Sequence, residues 1–179
     1  MSSTRGILWW LSAAPVLSLL LGGSSLVKGQ AADYTHKALS DGRFSGRDLT
    51  AADFSYSVIS DADFQNAKLQ KAVIKYAVAS DATFQGADMQ GAMLGYSVLT
   101  DARFNNADCR GANFSYCLLN DADFSGADLR GAKFGSAMLG GRFDAKTLYD
   151  ETTLFPAGFD PAAKGLTLRA KEKELKRRR

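Results

Sequence analysis

From Ala32 to Gly141 the hydrophobic positions return every fifth residue. Written in fives the chain reads ADYTH, KALSD, GRFSG, RDLTA, ADFSY, SVISD and so on to AMLGG at 137–141, 22 pentads in all. The centre of each unit is apolar, as at Tyr34, Leu39, Phe44, Leu49, Phe54 and Ile59, and the register never slips. Two positions before each centre, from Ala52 to Ala137, stands Ala, except at Ser57, Ser97 and Cys117. A period of five fits neither the 3.6 of a helix nor the 2.0 of a strand, so it predicts an architecture of its own. Residues two apart face the same way in an extended segment, and the remaining three turn a corner toward water. Four such segments close a square coil. A second period agrees: GYSVLTDARF (95–104) returns as SYSVISDADF (55–64), KYAVASDATF (75–84) and SYCLLNDADF (115–124), twenty residues apart. Each coil of twenty residues then sets every side chain above its equivalent, and Phe44, Phe64, Phe84, Phe104 and Phe124 form one interior ladder.

Centres and their small partners point inward, so candidate functional residues lie in the outward columns. Counting in twenties gives a column of Tyr56, Tyr76, Tyr96 and Tyr116, with His36 and Ser136 at its ends. Beside it runs an aliphatic column of Ala38, Val58, Val78, Val98, Leu118 and Met138, and at the next corner stand Asp41, Asp61, Asp81, Asp101 and Asp121. Val73 and Met93 add apolar surface next to the tyrosines. Two readings of the Tyr/Val stripe are open: lateral stacking of residues that suit a strand surface, or a docking strip for a protein partner. The aspartates are expected to accept backbone N–H bonds at their turns. Asp61, Asp81, Asp101 and Asp121 are also candidate cation ligands, though one carboxylate per coil makes a sparse set. His36, the single histidine, is expected at the surface. Cys109 and Cys117 both face inward on opposite walls, which predicts buried free thiols.

Units such as ADFSG (122–126), ADLRG (127–131) and GANFS (111–115) resemble the pentapeptide-repeat family. That resemblance implies an all-β fold, a right-handed quadrilateral β-helix of four pentads per coil. Here it would have about 5.5 coils and a length of about 26 Å at roughly 4.8 Å per coil. Its open strand edges need caps. After Gly141 the five-residue register is lost, and 142–165 is expected to form a loop or helix cap that plugs the last coil with Phe143, Leu148, Leu154, Phe155 and Phe159. Within it YDETTLFPAGFDPAAKG (149–165) is similar to the segment that follows the repeats in cyanobacterial and thylakoid-lumen members.

Charge and the ends of the chain extend the reading. Residues 32–163 hold twelve Lys/Arg against seventeen Asp/Glu, whereas 164–179 hold eight against two. An acidic body with a basic tail does not suit nucleic-acid binding, which calls for a basic stripe on the folded part. Gly6 to Val27 is uncharged and follows Arg5, the pattern of a membrane-active N-terminal hydrophobic helix. It is read as a signal peptide ending near Ala31 or as a retained anchor, with the repeats on the exported side. The domains expected are therefore 1–31 as signal or anchor, 32–141 as β-helix, 142–165 as cap and 166–179 as basic tail. Lys176, Arg177, Arg178 and Arg179 are expected to contact anionic lipid or an acidic partner. With no nucleophile and base in pairing distance by sequence and no pocket expected in a solid core, no catalysis and no cofactor are expected. The function expected is a scaffold or auxiliary subunit on the lumenal side of a thylakoid membrane, bound to a photosynthetic membrane complex. The resemblance also admits a DNA-mimicking ligand of type II topoisomerases, which an export segment opposes, and a cation- or redox-responsive rod.

Overall fold

A computed structural model describes residues 31–169. The apolar segment 6–27 and the cluster Lys176–Arg179 lie outside the described residues. Four parallel ladders carry the fold, each rung a single bridge. The first face runs through Asp33, Asp53, Val73, Met93, Asn113, Lys133 and Leu154, and the second through Ala38, Val58, Val78, Val98, Leu118 and Met138. The third runs through Arg43, Asp63, Thr83, Arg103, Asp123 and Arg142, and the fourth through Asp48, Lys68, Asp88, Asp108, Asp128 and Leu148. Up to Met138 every rung is twenty residues from the next. Two continuous strands stand out among the described residues, β1 (Leu148–Tyr149) and β2 (Thr167–Leu168), which pair in parallel.

The pentad follows from how each backbone group is used. The centre donates its N–H to the coil above, Leu99 to the Leu118 carbonyl at 2.8 Å, and the residue before it donates to the coil below, Val98 to the Ala77 carbonyl at 3.0 Å. The last residue of the pentad also donates upward, Asp101 to the Asn120 carbonyl at 3.0 Å. The next small residue closes the turn, Ala102 donating to the Leu99 carbonyl at 3.2 Å. Closing a corner in so few residues requires the pentad's last residue to be left-handed, and from His36 to Ser136 these residues have φ between 55 and 72°. Gly, Asn and Asp tolerate that region best, which is why they recur at three of the four corners.

Inside, the Phe44, Phe64, Phe84, Phe104 and Phe124 ladder is present, with consecutive centroids 4.7–5.0 Å apart and planes within 7°. Phe114 and Phe134 stack on the opposite wall, 5.0 Å apart, and meet the first ladder edge-on across the core. Such offset and edge contacts add to the burial of the rings. The alanines of the small column are buried and leave room for these rings.

The C-terminal segment differs from the expected plug. The described residues contain no helix there; 142–154 instead adds rungs to three faces. Arg142 pairs with Asp123, Leu148 with Asp128 and Leu154 with Lys133. Phe143 and Phe155 are the new centres, stacked at 5.6 Å on Phe124 and 5.7 Å on Phe134. Leu148 and Leu154 occupy bridge positions and so point outward, Leu154 being exposed. Tyr149, not Leu148, is the centre between them, packed edge-on against Phe155. One residue is missing before Arg142, so the backbone there approaches the coil below, and a Cβ on Gly141 would overlap the Ala122 carbonyl.

Candidate interaction face

The second face is the one whose outer bridge column is apolar throughout. Across it, in chain order, run the tyrosine corner, the aliphatic column, a column of Ser60, Ser80, Thr100 and Asn120, and the aspartate corner. The tyrosines sit at left-handed corner positions, with φ of 57–67°. There a side chain with no short polar group costs about 1 kcal/mol or more relative to Gly. They are 46–53% exposed. His36, Tyr56, Tyr76, Tyr96 and Tyr116 form one external stack, with centroids 4.7–5.1 Å apart and planes 4–12° from parallel. Stacking therefore offsets part of the corner strain, and it turns ring edges and hydroxyls outward. Val58, Val78, Leu118 and Met138 are exposed beside them and Val98 is half-buried. Val73 and Met93 lie half-buried across the corner, on the first face.

The aspartates Asp41, Asp61, Asp81, Asp101 and Asp121 do not accept the turn bonds expected of them. They too are corner residues, with φ of 57–59°. The N–H two residues beyond Asp61, that of Asp63, is already given to the Gly42 carbonyl of the coil below. Turn acceptance belongs to the carboxylates in bridge positions instead. Asp53 accepts from the Ser55 N–H at 2.8 Å, Asp63 from Gln65 at 2.9 Å and Asp123 from Ser125 at 3.0 Å, because those N–H groups have no carbonyl in a neighbouring coil. Among the described residues nothing donates to the five corner carboxylates, and no three of His, Cys, Asp and Glu gather as metal ligands would. On the fourth face the carboxylates are paired, Asp108 and Asp128 with Arg110 and Arg130.

Both cysteines are free and buried. Burial, then the carboxylates of Asp108, Asp128 and Asp88, push the Cys109 thiol far above its ordinary value. Burial pushes Cys117 up to about 11, against backbone hydrogen bonds from Ser97 and Tyr96 that pull the other way. Such thiols stay protonated near neutrality and are poor nucleophiles. Cys117 donates to the Leu94 carbonyl at 3.1 Å, just as the Ser97 hydroxyl does to Ile74 one coil below.

A shallow cleft of about 490 Å³ lies between Ala137 and Leu139 of the last second-face pentad and the loop Pro156–Lys164. Its titratable residues are Asp160 and Lys164, and Asp160 is engaged by the N–H groups of Ala162 and Ala163. No nucleophile and base meet there.

The capping residues escaped the sequence reading. Asp144 accepts the Gly126, Lys146 and Thr147 N–H groups, and Asp150 accepts those of Gly131 and Thr152. Thr147 and Thr153 fill the small column and donate to the Phe124 and Leu129 carbonyls. The signal was present as Asp-x-x-Thr at 144–147 and again at 150–153. The Ser60, Ser80, Thr100 and Asn120 column was also legible by counting in twenties.

These features define a β-helical repeat protein with a uniform exposed face and no reaction centre among its described residues. The chain belongs to the pentapeptide repeat family, whose model matches it in eight copies over residues 39–70, 48–86, 62–101 and 107–141. The family's folds are right-handed β-helices. No curated protein matches the chain. Among solved structures it is similar to a pentapeptide repeat protein of the Arabidopsis thaliana thylakoid lumen, at 27% identity over 68% of this chain and 69% of that one, with a TM-score of 0.45. A pentapeptide repeat protein of Nostoc Pcc 7120 is 29% identical over 60% of this chain and 84% of its own, with a TM-score of 0.31. The plasmid-mediated fluoroquinolone resistance protein QnrB1 is 13% identical over 82% and 94%, with a TM-score of 0.39.

Proposed function

We propose that the protein is a non-catalytic interaction subunit that docks a protein partner through the tyrosine and aliphatic columns of its second face. The observation that carries this is the column Tyr56, Tyr76, Tyr96 and Tyr116 at corners with positive φ. Core packing does not use these rings, and Gly, Asn or Asp would fit their backbone with less strain. Beside them Val58, Val78, Val98, Leu118 and Met138 complete an uncharged strip of the kind that marks interfaces. The rod of stacked coils is the carrier that holds the strip straight.

In this reading the partner is a membrane protein complex on the exported side, of the photosynthetic type. Support comes from the uncharged run Gly6–Val27 behind Arg5 and from the resemblance of residues 149–165 to lumenal members. Lys176–Arg179 would add electrostatic attachment at a membrane surface. Mass spectrometry of the mature amino terminus should find Ala32 in the lumenal fraction; a cytosolic protein starting at Met1 would remove the export reading.

The docking claim is tested by Tyr76→Asn combined with Tyr96→Asn. Asn suits the corner, so lost stacking and relieved strain offset each other and stability should change by no more than about 1 kcal/mol. Co-fractionation with native membranes should fall at least tenfold. A folded double variant that still co-fractionates like the parent disproves the docking role of the column.

A further inference from the structure

We propose that the second face also pairs with the same face of a second copy of this chain. The two rods lie side by side and parallel, related by a two-fold axis along their length. This rests on reading the face as an interface; the pair is reversible, so the monomer presents the same face to the membrane complex and the two occupants compete for it.

The face carries a donor column and an acceptor column that have no partners. Among the described residues no side-chain hydrogen bond reaches the hydroxyls of Tyr56, Tyr76, Tyr96 and Tyr116, and none reaches the carboxylates of Asp61, Asp81, Asp101 and Asp121. The two columns stand at opposite edges of the one face, Tyr56 just before Val58 and Asp61 just after Ser60. Both repeat every twenty residues, so both advance by the same coil spacing. Each is therefore commensurate with the other along its length.

Two two-fold arrangements oppose this face to its copy. With the rods antiparallel, tyrosine meets tyrosine and the aspartate corner meets its own kind, which sets like charges against each other. With the rods parallel, the axis exchanges the edges. Tyr56, Tyr76, Tyr96 and Tyr116 of each copy then meet Asp61, Asp81, Asp101 and Asp121 of the other at nearly equal heights. A phenol donating to a carboxylate is a charge-assisted bond, and it also relieves the stacked carboxylates of their mutual repulsion. Side-chain size agrees: the aliphatic column of one copy falls on the Ser60, Ser80, Thr100 and Asn120 column of the other, large against small. At the edges a long tyrosine and a short aspartate span the roughly 10 Å between packed sheets.

The columns keep one register along the face, each rung twenty residues from the next. Five rungs at roughly 4.8 Å and a width of about five extended residues give about 400 Å² per copy. That total, near 800 Å², is below the usual size for a tight complex, so the pair is a weak and reversible one.

Sedimentation velocity of the full chain in mild detergent, from low to high micromolar concentration, should show a monomer–dimer equilibrium. Converting Tyr56, Tyr76, Tyr96 and Tyr116 together to Phe keeps the stack and removes only the hydroxyls; it should raise the dissociation constant at least tenfold. An unchanged constant overturns the tyrosine–aspartate pairing. A single Val58→Cys should be captured as a dimer by a short bis-maleimide, since the native cysteines are buried. In an antiparallel pair the two sites would lie roughly 19 Å apart and escape capture, which would overturn the parallel geometry. Monomer at every concentration overturns self-pairing altogether. Membrane co-fractionation of the fourfold Phe variant separates the two: it keeps the stacked rings, so docking should persist where the pair is lost, and loss of both would tie docking to the hydroxyls instead.

Discussion

At the scale of single residues, the corner position decides more than the core does. Every centre tolerates some apolar side chain, from Ala79 to Phe84, whereas every corner must accept positive φ. Gly86 (φ 66°) and Gly126 (φ 72°) show why composition at a corner is coupled between coils. A Cβ on Gly86 would overlap Asn66 Oδ1, and one on Gly126 would overlap Asn106 Oδ1, because each Asn leans over the glycine of the next coil. Gly86→Ala should therefore cost about 1–3 kcal/mol by urea denaturation, combining the left-handed penalty with the overlap. Asn66→Gly in the same chain should recover the overlap part and leave the backbone part. A double-mutant cycle with no coupling would show that the asparagine does not set the cost. The tyrosine corners face the same backbone demand without that remedy, which is why they carry the functional reading.

At the scale of the pentad, the regular unit and its ending use different acceptors. In the repeats a corner N–H goes to a backbone carbonyl in the next coil; at Gly126 and Gly131 the side chains of Asp144 and Asp150 take that place. Asp144→Ala leaves the Gly126, Lys146 and Thr147 N–H groups to find other acceptors and should cost about 1–3 kcal/mol. The Gly126 N–H first, with further help from Thr147 and Lys146, holds the Asp144 carboxyl below its ordinary 3.8. Its contribution is thus present above that value and lost as pH falls through the lower folded one. The difference in urea midpoint between parent and Asp144→Ala should shrink across that acid window; a difference independent of pH would assign the loss to packing. Periodicity made the regular pentads legible in the sequence: the centres, the small column and the outward tyrosine, aliphatic and aspartate columns all follow from counting. The ending was not, because one residue dropped before Arg142 and one gained on each of the next two sides hide the period. The left-handed corner was missed for a different reason. Tyrosine is a poor marker of positive φ, so nothing in GYSVLTDARF announces that Tyr96 and Asp101 share a backbone state.

At the scale of the molecule, two periods divide the work. Five residues set which positions face the core; twenty are needed to stack the Phe44 ladder and the surface columns. Deleting 75–94 removes one whole coil and leaves every column aligned. Deleting 85–94 removes half a coil, which sends Tyr96 and Tyr116 to the corner of Asn66 and breaks their stack from Tyr56 and Tyr76. Both variants should unfold cooperatively, but only the twenty-residue deletion should keep membrane association. Loss in both, or retention in both, would separate association from column alignment.

The irregular last turn also bounds the size of any assembly. A β-helix whose two ends match is a template for endless growth, each copy's first coil seating on another's last. Here the opening rungs at Asp33, Ala38, Arg43 and Asp48 are evenly five apart, while the closing rungs at Met138, Arg142, Leu148 and Leu154 are four, six and six apart. The ends are out of step, like mismatched vernier scales. A rod that can associate along its flank is thereby kept from polymerising into a fibre.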